Sequence, residues 1–285
     1  MKAHQAEHSI SLMARVLGVS RSGYYAWLLR EPSLRAQADQ LLLEKMRATH
    51  LDSRGTYGVR RIHAALRNDG WRVGKKRVSR LMKEAGIAGI WRRRYRATTQ
   101  RDPKARPSPD LVNREFKATG PNQLWVADIT HIPTKTRPVY LATVLDVWSR
   151  RVVGWALDTH MESELVERAL LAALDGREAR AVIHHSDQGS QYTSKAFRAL
   201  AKRHGVRVSM GSVGDCYDNA MAESLFATLE CELLDLHDFD DPEQAIPAVF
   251  AFIAGFYNNT RLHSSIGYRT PNDFERLEAL ALAAK

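Results

Sequence analysis

The chain has 285 residues, 44% of them hydrophobic, which is enough for a substantial core and, by length, for two domains. A formal net charge of +10 favours a polyanionic partner. Cys216 and Cys231 lack C-x-x-C spacing, which argues against a disulfide framework or a cysteine zinc site, and no signal-peptide segment or uncharged run long and apolar enough for a bilayer is present; a soluble cytoplasmic protein with no membrane partner is expected.

The charge is divided unevenly. Residues 1–110 carry 24 Lys+Arg against 9 Asp+Glu, a balance of +15, whereas residues 111–285 carry 18 against 23, a balance of −5. The first part is therefore expected to neutralise phosphates and the second to concentrate carboxylates for another purpose.

Within the basic part, residues 9–30 read as two short helices. Ser11 is expected to cap the first, with Leu12, Met13 and Val16, and Ser20 the second, with Tyr24, Trp27 and Leu28; Gly18 breaks the chain between them. Helix, glycine turn and helix is the helix-turn-helix pattern, though any small helical hairpin shares it. A second pair follows. Residues 57–68 space Ile62 and Leu66 on one face, with Arg60, Arg61 and Arg67 elsewhere. Residues 74–85 do the same with Val78, Leu81 and Met82, leaving Lys75, Lys76, Arg77 and Arg80 outside. Few acids sit four residues away to compensate these cations, so phosphate contact is expected of them. Trp91-Arg92-Arg93-Arg94-Tyr95 adds a basic run flanked by aromatics. Residues 98–110, with Pro103, Pro107 and Pro109, read as a linker.

Beyond it the period changes. QLWVADITHIP, YLATVLDV and RVVGWAL are three strands with short gaps, hence antiparallel neighbours. A helix over 162–174, a strand over 181–184, a helix over 194–204, a strand over 206–210 and a long helix over 218–234 follow. Three meandering strands and then alternating helices and strands suggest an α/β domain with an RNase H-like core, a five-stranded mixed sheet with helices.

Three acids stand out by position. Asp128 interrupts the centre of the first strand, where an unpaired buried charge is expensive. Asp187 lies just past the fourth strand, in a turn containing glycine, and strand ends are where sites gather in α/β sheets. Glu223 falls in the first turns of the long helix. Fifty-eight residues separate the first two acids and thirty-five the last two. Three clustered carboxylates suit two hard cations about 3.5–4 Å apart, which activate an attacking oxygen and stabilise a leaving one in phosphodiester chemistry. Spacing alone would not select these acids from the others; their strand and helix positions do.

From the Gly18 region to Phe274 the chain resembles the second-frame transposases of the IS-three family of insertion sequences, relatives of retroviral integrases. The matching stretches are RVLGVSRSGYYAW, YGVRRIHAALRNDGW, NQLWVADITHIP, YLATVLDVWSR, HHSDQGSQYTS, GDCYDNAMAESLF and FYNNTRLHSSIGYRTPNDFE. The resemblance maps the family's acidic triad onto Asp128, Asp187 and Glu223, as catalytic and metal-binding residues. It implies an RNase H-like core, two Mg2+ ions (Mn2+ can substitute), and 3′-end cleavage followed by strand transfer. It further implies double-stranded DNA as partner (transposon ends and target), a homo-oligomer on that DNA, and location with the nucleoid. An upstream-frame protein is a further partner, which makes an accessory or regulatory DNA-binding role the alternative reading. A metal nuclease that cuts without joining is a second one. A retroviral-type integrase is disfavoured because its zinc module needs a His/Cys pattern absent here.

The expected organisation is a helical DNA-binding region over 1–96, a linker over 97–112, a catalytic core over 113–275 and a tail over 276–285. Expected DNA contacts are Arg60, Arg61, Lys75, Lys76, Arg77, Arg80, Arg92, Arg93, Arg94, Arg261 and His263; packing of the segment that holds the last two is the competing reading. Asp146 is a fourth acid near the sheet, able to tune metals or to hold backbone. Asp218 reads as a helix cap, and His184 or His185 as packing in the sheet. One position departs from the family. Glu230, seven residues after Glu223, stands where the family usually has Lys or Arg in contact with end DNA.

Overall fold

The computed structural model describes residues 1–90, 110–112, 116–175, 177, 179–211 and 220–283. The aromatic-flanked basic run, most of the linker, Cys216 and the expected cap Asp218 lie outside the described residues. Two compact units result, Met1–Arg47 and Ala48–Lys285.

The first unit holds α1 (Ile10–Val16), α2 (Arg21–Leu29) and the greater part of α3 (Leu34–Asp52). Ser20 caps α2 by accepting the Gly23 N–H at 3.0 Å. The cap of α1 is Ser9 rather than Ser11: its hydroxyl accepts the Leu12 N–H, so the helix begins at Ile10, two residues earlier than expected. Gly18, at φ +66°, turns the chain between the two helices. The 19-residue α3 has no counterpart in the sequence reading, because its apolar and charged residues are distributed around the axis and leave no clear stripe.

The second unit begins with α4 (Val59–Asn68) and α5 (Lys75–Glu84). They pack on each other and bury Ile62, Leu66, Val78, Leu81 and Met82, each apolar side chain contributing about 1.5–3 kcal/mol. The sheet follows, with β1 (Leu124–Ile132), β2 (Val139–Asp146), β3 (Val152–Asp158), β4 (Ile183–Ser186) and β5 (Arg207–Met210) in the order β3-β2-β1-β4-β5. β1 to β3 are antiparallel, whereas β4 and β5 run parallel to β1. This is the mixed five-stranded sheet expected, in the meander-then-crossover arrangement.

One face carries α6 (Ser163–Leu174), α7 (Ser190–Thr193) and α8 (Lys195–Arg203). Trp125 and Ala127 of β1 and Ala142 and Val144 of β2 bury there against Leu165, Ala169, Leu170, Phe197 and Ala201. A Cβ on Gly154 would stand 2.3 Å from the Ala169 carbonyl oxygen, so only glycine lets β3 lie this close to α6. Strand alternation turns Asp128, its cross-strand partner Thr143, and Trp155 to the other face. There α9 (Ala220–Glu232) packs on β1, and Phe250 of α10 (Pro242–Phe250) meets Trp155 at 5.9 Å.

The segment after α10 winds as a π-helix over Ala251–Tyr257 and then docks on edge strand β3. Asn258 accepts the Val152 N–H at 3.0 Å and donates to the Val152 carbonyl at 2.9 Å, satisfying backbone groups that an edge strand would leave open. Finally α11 (Pro271–Ala283) presents Glu275, held by Arg151, Arg177 and the Ser149 hydroxyl.

Candidate active site

The parallel pairing of β1 with β4 fixes the first two acids. Val126 stands opposite His185, so two residues further along the strands the chain reaches Asp128 and Asp187 side by side at the sheet. Among the described residues Asp128 accepts only its neighbour's N–H, from Ile129 at 2.8 Å, and Asp187 accepts the Gly189 N–H at 3.0 Å. A Cβ on Gly189 would press on the Asp187 carboxylate at 3.0 Å, which explains glycine in this turn. Glu223 lies in the first turn of α9, on the face of the sheet to which Asp128 points.

Electrostatics join the three. Burial pushes the Asp128 carboxyl up to about 8, and the charges of Asp187 and then Glu223 push the same way against the single Ile129 N–H. Asp187 is also raised, chiefly by burial. Tyr192, from the short α7, is fully buried with its hydroxyl unpartnered. Burial and then the Asp128 and Asp187 carboxylates hold that phenol well above its ordinary range. Among the described residues no three His, Cys, Asp or Glu side chains stand close enough to share one ion. Of the two charges acting on Asp128, that of Asp187 has the larger effect and that of Glu223 the smaller.

This donor set suits a hard divalent cation. It is oxygen-only, and the charges of Asp187 and Glu223 penalise the ionised form of Asp128 until a cation arrives. The orphaned Tyr192 hydroxyl marks a further polar group whose partner is missing beside the pair.

The neighbouring candidates are occupied by the fold. Asp146 accepts the N–H groups of Asn122, Trp148 and Ser149 and lies 3.7 Å from Arg177, so this fourth acid holds the turn after β2. His184 is fully buried against Tyr192 and Phe197, and burial lowers it to about 4, leaving it neutral packing. His185 meets the Ser209 hydroxyl at 2.9 Å. Gln188 donates to the Gly211 carbonyl and Gln191 to that of Met161, so both shape the loops around Asp187.

The residues expected at DNA divide into two groups. Arg60, Lys75, Lys76 and Arg80 are exposed on α4 and α5, with Arg77 half-buried beside them; Arg80 also pairs with Glu84 at 2.9 Å. Arg61, Arg261 and His263 are directed inward instead. Arg261 is buried and grips Glu232 of α9 with two bonds, Nε to Oε2 at 2.7 Å and Nη2 to Oε1 at 2.8 Å. Arg61 of α4 adds a third to Oε1 at 3.2 Å. Burial works to lower the Arg261 guanidinium, but Glu232 outweighs it and leaves it raised; Arg61 is lowered by burial and by Arg261. Arg261 is thus the principal partner of Glu232. His263 packs edge-on against Tyr257 and is held neutral by burial and the Arg261 charge. The buried Tyr57 hydroxyl completes the junction by donating to the Thr260 carbonyl and accepting the Leu262 N–H. Arg92, Arg93 and Arg94 lie outside the described residues.

Sequence reasoning missed Tyr192 and Glu232. Glu232 carried a signal: it shares the buried side of α9 with Leu225 and Leu229, where a carboxylate demands a cation. Tyr192 carried none, since tyrosine in a short turn of helix near the core is ordinary packing. Glu230, at the departing position, is half-buried and raised by burial and by Asp235, with His131 opposing.

The chain matches the family description "Integrase core domain" over residues 118–216, a second pattern of the same description over 204–271, and "HTH-like domain" over 37–95. It is 40% identical over 263 residues to the insertion element IS600 uncharacterized 31 kDa protein of Shigella sonnei, covering 92% of this chain and 97% of that one. It is 38% identical over 278 residues to the transposase InsF for insertion sequence IS3A of Escherichia coli, covering 96% of each. Among solved structures it is similar to the HTLV-2 integrase catalytic core domain in complex with magnesium, at 17% identity and a TM-score of 0.40, over 56% of this chain and 99% of that one.

Proposed function

We infer the chemistry of the site from one premise: this chain belongs to the IS3 family of insertion-sequence transposases, with an integrase core and an HTH-like domain. Its activity is that of a transposase, a DDE-type polynucleotidyl transferase. We propose that Asp128, Asp187 and Glu223 are the acidic triad, and that they hold two Mg2+ ions, replaceable by Mn2+. The observation that carries this assignment is the parallel register of β1 with β4, which sets Asp128 beside Asp187, with the charges acting on Asp128 being those of Asp187 and Glu223.

Bound there, divalent cations would supply Lewis acidity to the attacking and leaving oxygens of a phosphodiester. Asp128, at the centre of β1, and Asp187, just past the end of β4, offer ligands from adjacent strands, a rigid base, and Asp128 must give up its proton to do so. Glu223 offers the third ligand from a separate helix, so its approach depends on where α9 sits. In the first step a water oxygen forms a bond to phosphorus and the 3′ oxygen leaves, taking a proton. In the second that 3′ hydroxyl loses its proton and attacks a target phosphorus, and the target's own 3′ oxygen leaves.

The substrates in this proposal are transposon ends and target DNA, handled by an oligomer that bridges two ends, with an upstream-frame protein as partner and the nucleoid as site of action. The residues 1–96 bind DNA and 113–275 catalyse. Exposed Arg60, Lys75 and Lys76, with half-buried Arg77, supply contacts; Arg80 and the 92–94 run extend them. A regulator needing its upstream partner is the alternative.

Incubating the protein with labelled end DNA and Mg2+ tests both. Joined products should appear with wild type and fall at least about 100-fold in Asp128→Asn and Glu223→Gln. Cutting without joining would make the protein a nuclease, and binding without either would favour the regulator. Joining by Glu223→Gln at the wild-type rate would remove Glu223 from the triad.

A further inference from the structure

Arg60, His63, Ala64 and Arg67 follow one another along one face of α4, opposite the face that buries Ile62 and Leu66. With Asn68 and Lys75 they line a cavity of about 550 Å³, closed on its far side by Gly267 and Tyr268, two hundred residues away. The bond that joins the two walls runs from Asn68 Nδ2 to the Tyr268 carbonyl at 3.1 Å. Two consecutive residues with left-handed backbone, Gly267 at φ +70° and Tyr268 at φ +57°, turn the chain at this rim. His63 is fixed by a 3.0 Å contact between its Nε2 and the Val73 carbonyl.

Three cations face this space: Arg60, Arg67 and Lys75. None has an acidic partner among the described residues. The contrast with their neighbours is sharp, since Arg61 pairs with Glu232 and Arg80 with Glu84. Lys75 is also the first residue of α5, whose N-cap is Gly74 and offers no side-chain acceptor to the free N–H groups there. Uncompensated guanidinium and ammonium groups at an open helix start select an anion. The size is in the range of a ligand cleft and exceeds what one inorganic ion fills.

We propose that this cavity is a composite site for the DNA sugar-phosphate backbone, built by α4, the start of α5 and the Gly267–Tyr268 turn together. It rests on the reading of the chain as a DNA transposase and adds to it Arg67 and a segment beyond the integrase-like sheet. The helix pair therefore does not grip DNA alone. The C-terminal turn forms the second wall, and a strand held between them is tied to the same compact unit that carries Asp128.

Binding of the full-length protein to a short fluorescein-labelled duplex, followed by anisotropy over a range of salt concentrations, tests this. Removing one cation that neutralises a phosphate lowers the slope of log K against log salt by roughly 0.9. Arg67→Ala and Lys75→Ala should each weaken binding and reduce the slope by about that amount, with Arg67→Lys keeping the slope. Thermal midpoints should stay unchanged, because these side chains have no partner to lose. Gly267→Asp and Gly267→Asn report on the second wall. Both residues accept left-handed backbone, and a Cβ at Gly267 meets nothing within 4 Å. Gly267→Asp should bind several-fold more weakly than Gly267→Asn, the gap closing at high salt. Equal binding by these two, or a wild-type slope in Arg60→Ala/Arg67→Ala/Lys75→Ala, would overturn the composite site while leaving the transposase reading intact. A wild-type protein that does not bind the duplex would overturn both.

Discussion

Glu232 is a buried carboxylate and Asp128 a partly buried one in the same compact unit, and their surroundings are opposite. Glu232 is met by two guanidiniums, one from α4 and one from the C-terminal segment, with three hydrogen bonds of 3.2 Å or less. Asp128 is met by one backbone N–H and two more carboxylates. The first arrangement is complete within the chain and ties three distant segments together. The second is unfinished, and its cost is removed only by a proton or a cation from outside. The difference separates an acid that builds the fold from one that waits for a ligand.

Removing the compensated acid should have the largest effect. Glu232→Ala leaves Arg261 buried and unpaired, which costs about 3–5 kcal/mol and should appear as a lowered urea midpoint. Loss of less than about 1 kcal/mol would mean that the clamp is incidental. The uncompensated acid should behave in the reverse sense. In chelator, Asp128→Asn should stabilise the protein, and more so at pH 8 than at pH 5. The folded Asp128 pKa of about 8 lies above the value of 3.8 expected when unfolded. The unfolded chain therefore releases the proton first as pH rises. Stability is fully present below about pH 4 and falls by up to about 1.4 kcal/mol per unit until pH 8. The variant should lack this slope, and an unchanged slope would place the charge elsewhere.

Much of this was legible in the sequence. An acid at the centre of an apolar strand and another just past a strand end gave Asp128 and Asp187, because burial of a charge is a local contradiction that sequence displays. The strand and helix order gave the sheet. Arg60 and Arg61 are the instructive pair. They are adjacent, alike in charge and both read as phosphate contacts, yet helical geometry turns one to an open cavity and the other to Glu232, 171 residues away. No local pattern carries that distinction. The same holds for Arg261 and His263, whose motif reads equally as DNA contact or packing until Glu232 and Tyr257 are seen beside them. Helix α3 escaped for a different reason: its apolar residues keep no stripe for a period to reveal.

Smaller effects refine the comparison. Arg61→Ala removes the more exposed and longer of the two arginine pairings with Glu232, so it should cost about 1–2 kcal/mol, well under Glu232→Ala. Glu230→Lys replaces an acid with a cation on α9, seven residues past Glu223. It should strengthen duplex binding a few-fold at low salt and raise the salt slope by roughly 0.9 at most. Unchanged binding would keep DNA away from that part of α9.

The most direct measurement is a Mn2+ titration of the full-length protein by electron paramagnetic resonance, comparing wild type, Asp128→Asn and Glu232→Gln. Wild type and Glu232→Gln should both take up the ion, because the Glu232 carboxylate is already met by Arg61 and Arg261 and holds no metal, and Asp128→Asn should lose at least one bound ion. Mn2+ uptake by Asp128→Asn equal to wild type would contradict the assignment of the uncompensated carboxylates as the metal site.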